Sequence, residues 1–284
     1  MIISLKAFRS IKNLPSLPEQ INSVLVATGS TSSMDYNIVE IIQYDPSMAL
    51  SVLKVANSPV YGYSAKISSL QQAAGLLGPG AIKNIILRTP ILERQLTHRQ
   101  KDSSINFENL WLHSSVSASL SGGLGRLIGG LESDVCFTAG LIHDAGVIAL
   151  SAYYPQELAK AFEISRSEKV NLLNAEKKVF GFNSFEVGME LLTAWNFPES
   201  LVNLYRSEIL KSKPDSGSKP VAVVALAKLL SREWGYAGCP HLQNVSDREK
   251  LLQFLEITPE DLSRWEPELK KYADLAVSVL NGKN

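Results

Sequence analysis

The stretch that most constrains this chain is Cys136–Leu150, CFTAGLIHDAGVIAL, apolar on both sides of one polar pair, His143-Asp144. It is too short and too interrupted for a bilayer span, which takes about 20 apolar residues, so it reads as helix buried in a soluble core. Two ionisable side chains are carried into that core, and their burial needs a reason. A neutral imidazole beside a carboxylate offers two adjacent ligands to a divalent metal, or an acid–base pair. A structural reading stands beside it: a buried His can donate to a main-chain carbonyl, and an Asp can cap the helix that follows. The dipeptide alone does not choose.

Charge narrows the partners. Lys+Arg and Asp+Glu both number 28 in 284 residues, a formal net charge of zero. That is not the basic footprint of a nucleic-acid binder, so no nucleic-acid partner is expected. The N-terminal MIISLKAFRSIKNLP interleaves Lys6, Arg9 and Lys12 with apolar residues and lacks the pattern of a secretory leader. With no uninterrupted apolar run of about 20 residues, no membrane insertion is expected and the location reads as cytoplasmic. Cys136 and Cys239 are the only cysteines, with no CxxC, which argues against both a disulfide framework and a thiolate zinc site.

Helical periodicity recurs along the chain without alternating strand patterns, so the fold class is all-α. Pro18 opens a first helix with Ile21, Val24 and Leu25 on one face and Gly29 at its end; a second carries Ile38, Ile41 and Ile42. Asp45-Pro46 is an N-cap followed by proline at the first helical position, and Ser58-Pro59 stops that helix. Leu70, Ala73, Ala74 and Leu77 repeat the helical spacing up to Gly78-Pro79. A polar patch, His98–Asn106, separates this unit from helix 107–121, which is followed by a glycine-rich joint from Gly122 to Gly130. Helices near 155–166 and 170–180 come next, the latter closed by Gly181. Asn183 with Glu186 forms a capping box for a helix reaching Trp195, and Pro198 opens another. Lys211–Lys219, KSKPDSGSK, reads as a linker before an apolar helix over Val221–Trp234. Ser246 with Glu249 and Thr258-Pro259 with Asp261 start two more helices, and Pro267 should break or kink the last.

Taken together, these residues resemble a known family. Leu14-Pro15 with Pro18, Asp45-Pro46, Ala56-Asn57-Ser58, Leu77-Gly78, His113, Ala139–Gly146, Glu186-Val187-Gly188, and Trp195 with Pro198 follow the order and spacing of the HDOD domain, the HD-related output domain of bacterial signalling proteins. The resemblance covers about residues 12–235 and implies a helical N-terminal subdomain (1–105) packed on an HD-like five-helix core (106–235); beyond it, the capped helices of 236–284 read as a C-terminal helical extension. In HD phosphohydrolases an earlier His, the HD pair and a later Asp converge on a divalent metal, which lowers the pKa of bound water. His113, His143 and Asp144 match three of those positions; the fourth falls on Lys228, whose ammonium has no lone pair to offer. Val147 stands where HD-GYP relatives place Lys, Ser184 where many relatives have His, and Ser207-Glu208 near a common His pair. The chain has only four His, so a two-metal centre is not expected.

The resulting expectation is a non-catalytic signalling module that works by contact with a protein partner, with no cofactor and no metal required. His113, His143, Asp144 and Lys228 would form a vestigial buried charge cluster. Asp45, Pro46, Asn57, Ser58, Gly78, Gly188, Trp195 and Pro198 would be structural members of the family motif, and Trp111 a core aromatic. Two alternatives stay open: a metal-dependent phosphohydrolase using His113, His143 and Asp144 on a nucleotide or cyclic dinucleotide, and a nucleotide sensor that does not cleave. Any upstream sensor is expected on a separate protein. Residues after Trp234 could pack back on the core or offer a homodimer surface.

Overall fold

The computed structural model describes residues 3–16, 38–63, 65–89, 107–206, 218–236 and 248–280. The first helix expected at Pro18, the polar patch His98–Asn106, most of the linker, Ser207-Glu208, Ser246, Cys239, His98 and His241 lie outside them. Among the described residues the regular structure is helical, with no strand.

A 3-10 turn, Leu5–Ser10, precedes α1 (Ile38–Ile42), α2 (Pro46–Ala56) and α3 (Leu70–Ile86). Asp45 caps α2 as expected, accepting the Met48 amide at 2.8 Å. Gly78 does not end α3: at φ 74° it breaks the helix, which restarts at Pro79 and runs on to Ile86. A left-handed residue followed by a proline fixed for helix allows a bend without a stop.

The second half holds α4 (Phe107–Ile128), α5 (Ser133–Ile142), α6 (Ala145–Tyr153), α7 (Pro155–Glu168), α8 (Leu172–Phe180), α9 (Ser184–Ala194), α10 (Glu199–Val202), a 3-10 turn at Asn203–Tyr205, and α11 (Lys219–Glu233). The expected glycine-rich joint is helix instead. α4 continues through Gly122, Gly123 and Gly125 because neighbours fill the space a Cβ would take: Phe137 at Gly122, Tyr272 and Leu269 at Gly123, Cys136 at Gly125. These glycines give close helix crossing, and the chain turns only at Gly129-Gly130. The Asn183–Glu186 capping box of α9 is present in both directions.

α12 (Arg248–Leu255) and α13 (Pro259–Leu280) pack back on α4 and α11, burying Leu251, Leu252, Leu255 and Leu269 in one cluster with Val116, Leu120 and Leu226. α13 runs unbroken through Pro267, where a break or a kink is expected. Its buried face, Leu262, Leu269, Ala273 and Ala276, offsets the main-chain bond that proline removes, a loss of about 3 kcal/mol. By length and composition Ser133–Tyr153 could cross a membrane, but 89% of it is buried inside the protein and the HD turn interrupts it.

Candidate functional site

The His143-Asp144 pair sits in the turn between α5 and α6. Asp144 stands at the N-cap of α6, yet its side chain makes no capping bond, so helix capping does not explain its burial. Three devices hold the turn. Tyr205, buried, donates its hydroxyl proton to the Ile142 carbonyl and accepts the Ala145 amide at 3.3 Å, splinting both sides of the pair. Gly146 lies against the Ser184 carbonyl and the Gly188 amide of α9, where a Cβ would collide. Gly188 in turn gives way to the Tyr205 ring.

The structure brings His113, His143, Asp144 and Lys228 together. His143 Nδ1 lies 2.7 Å from the Gly140 carbonyl and His113 Nδ1 2.8 Å from the Tyr236 carbonyl. A carbonyl only accepts, so each Nδ1 carries the proton and each Nε2 presents a lone pair. Both Nε2 atoms face Asp144 Oδ2, at 3.1 Å from His143 and 4.0 Å from His113. Neither His143 Nε2 nor Oδ2 has a hydrogen-bond partner among the described residues. Three buried acceptor atoms thus share one hollow, all within 4.8 Å of one another.

Burial pushes both imidazoles toward the neutral form, His113 down to about 3. Burial would raise Asp144, but His143 whenever its ring is charged, and the Lys228 ammonium, outweigh it and hold the carboxyl well below the usual range. Lys228 Nζ approaches the other oxygen, Oδ1, at 3.6 Å; its side chain is 15% exposed and lies over the Phe185 ring. It therefore brings a compensating positive charge to Asp144 on its Oδ1 side. A divalent cation fits the three donors, His113 Nε2, His143 Nε2 and Asp144 Oδ2, and when bound would activate a water for attack on a phosphate ester. The hydrogen bond from each Nδ1 to a main-chain carbonyl fixes its ring so that Nε2 faces the hollow.

The family model for the HDOD domain matches residues 14–208. The chain belongs to the HDOD domain family. Its all-helical HDOD fold is close to that of the MmoQ response regulator from Methylococcus capsulatus, with 21% identity, TM-score 0.69, and 89% of this chain and 97% of that one covered. A virulence factor from Campylobacter jejuni aligns at 19% identity and TM-score 0.62 over 91% and 96% of the two chains. An HDOD domain protein of unknown function from Geobacter sulfurreducens aligns at 20% and 0.53 over 94% and 93%. An uncharacterized protein from Treponema pallidum is 22% identical over 230 residues, 78% of this chain and 43% of the relative, so the chain spans less than half of that protein's length. At these identities the structural likeness carries the fold.

The other HDOD motif residues lie in caps, core and contacts between segments. Asp45 also accepts Trp111 Nε1 at 3.0 Å and the Ser16 hydroxyl, tying three segments together. The Asn57 side chain bonds Leu53 and Ile67, while its carbonyl accepts Asn196 Nδ2 across to the HD-like half. Trp195 caps α9 at its C-terminus and donates to the Ile11 carbonyl, Pro198 is the N-cap of α10, and Val147 is core. Ser184 gives its amide and hydroxyl to one oxygen of Glu176, at 2.7 and 2.8 Å. Glu176 and Tyr205 were not foreseen from sequence. Their nearest signals, an acid on the apolar side of a helix and a tyrosine after Trp-x-x-Pro, have no spacing rule linking them to His143.

Proposed function

We propose that this chain is a non-catalytic signalling module of the HDOD type, acting through contact with a protein partner. The observation that carries the reading is Lys228 Nζ, 3.6 Å from Asp144 Oδ1, in the position where the HD resemblance expects a fourth ligand. An ammonium there supplies no lone pair, repels a dication, and spends part of the charge of Asp144. The response-regulator relative supports a place in signalling.

The hydrolase reading keeps one specific support, the three-atom hollow left without a hydrogen bond at His143 Nε2 and Asp144 Oδ2. The deciding experiment is elemental analysis of protein purified without chelator, beside His143→Ala, with assays on cyclic dinucleotides and a phosphodiester model substrate. The expected result is no stoichiometric manganese, iron or zinc and no hydrolysis that depends on His143. Stoichiometric metal together with hydrolysis abolished by His143→Ala overturns the proposal. A nucleotide that raises the melting temperature without being cleaved selects the sensor reading instead.

A further inference from the structure

The 3-10 turn Leu5–Ser10 lies against α9 on the HD-like half. Phe8, 1% exposed, enters an aromatic box: its ring stands 5.7 Å from that of Tyr154 and 5.8 Å, edge-on, from Phe182, which stacks on Phe180. Around this anchor the contacts change character. Arg9, with a side chain 55% exposed, pairs through two nitrogens with Glu190. The Ile11 carbonyl accepts from Trp195, the Asn13 carbonyl from Tyr153, and the Lys12 carbonyl from Lys54. Beside the anchor an open cleft of about 300 Å³ is walled by Ala7, Ile11, Lys12, Tyr153 and Tyr154.

One buried ring is thus followed by exposed contacts at Arg9, Lys12 and Asn13 and a part-buried one at Trp195, before the chain is anchored again at the buried Leu14 and Ser16. Exposed ion pairs hold weakly, so the span around Arg9 opens more readily than the buried Leu14 and Ser16 that follow it. The cis occupant also displays what the groove accepts: an aromatic ring for the box, a cation for Glu190, and main-chain carbonyls for Trp195 and Tyr153.

We propose that this groove is a docking site for a partner segment carrying an aromatic residue followed by a basic one, and that Phe8-Arg9 occupies it in cis as a competitor. The inference rests on the protein-contact reading above and names the surface it uses. A trans segment meets the groove only in the open fraction, so loosening the cis segment raises its apparent affinity by the same factor.

The probe is a fluorescent peptide of residues 3–13, ISLKAFRSIKN, titrated by anisotropy into the full chain as wild type, Phe8→Ala and Arg9→Glu. Both variants should bind about tenfold or more tightly than wild type. In Phe8→Ala, adding Glu190→Lys should remove that gain and a peptide carrying Arg9→Glu should restore it; in Arg9→Glu the same addition re-forms the cis pair and should return the chain to wild-type weakness. Arg9→Glu keeps the buried ring, so the test survives if Phe8→Ala fails to fold. Absence of saturable binding to a variant that keeps its helical spectrum and cooperative melt, or equal binding by wild type and both variants, overturns the proposal. A wild-type dimer that dissociates in Phe8→Ala assigns the groove to a second copy and also overturns it. His143-dependent hydrolysis would remove the signalling reading while leaving this titration standing, so the two failures are separable.

Discussion

Asp45 and Asp144 are both buried carboxylates placed just before a helix, and they are provisioned in opposite ways. Asp45 is wrapped by neutral donors, the Met48 amide, the Ser16 hydroxyl and the Trp111 indole, and burial outweighs them, leaving its pKa raised. Asp144 has no capping bond, one oxygen without a hydrogen bond among the described residues, and positive charge, from Lys228 and from His143 whenever that ring is charged, that holds its pKa low. The first carboxylate joins segments; the second collects charge. Glu176 stands between them, with one oxygen doubly served by Ser184 and the other, buried, without a hydrogen bond.

The comparison breaks most visibly at Asp45. Asp45→Ala should cost about 3–5 kcal/mol in urea unfolding, because buried donors from Ser16 and Trp111 lose their acceptor together. A cost below about 1 kcal/mol would show that the three-segment junction is not a stability element.

Glu176 sharpens the middle case through pH. Burial first, with Asp144 and Glu186 adding like charge, raises its carboxyl from 4.5 to about 7. The folded state holds this proton more tightly than the unfolded one, so its stabilisation is complete below pH 4.5 and is lost as pH rises through about 7. Glu176→Gln should therefore match wild type near the acid end and exceed it by up to about 3 kcal/mol at about pH 8. Parallel melting curves at both pH values would remove Glu176 from the account.

Two smaller effects probe Asp144. Lys228→Asp should raise manganese or zinc affinity about 10–100-fold by calorimetry, as a repelling cation beside the ligand set becomes an acceptor. Unchanged affinity would mean that Lys228 does not limit the hollow. Tyr205→Phe should cost about 1–2 kcal/mol and speed hydrogen exchange at the Ala145 amide, since the hydroxyl joins both sides of the turn.

Local chemistry was legible in the chain. The capping box at Asn183, the Asp45 cap and the meeting of His113 with His143 follow from spacing or resemblance. What escaped depends on long-range contact: the Trp111 indole reaches Asp45 across 66 positions, and Tyr205 reaches Ile142 across 63. The glycines of α4 misled because a missing side chain marks both a flexible joint and a close crossing; only the neighbours Phe137, Cys136 and Tyr272 tell the two apart. Pro267 misled likewise, since sequence shows the bond it removes but not the buried face that compensates.

The two imidazoles of the cluster are oriented by main-chain carbonyls, those of Tyr236 and Gly140, with the Ser231 hydroxyl 3.2 Å from His113 Nδ1 as the one side chain beside them. An alanine scan would find each histidine, and Ser231 beside His113, yet remain blind to the two carbonyls that aim the rings, because no substitution deletes a carbonyl. The aim of the pair is a property of the backbone path, and it outlasts any drift of side chains at those two positions for as long as the helices keep their places.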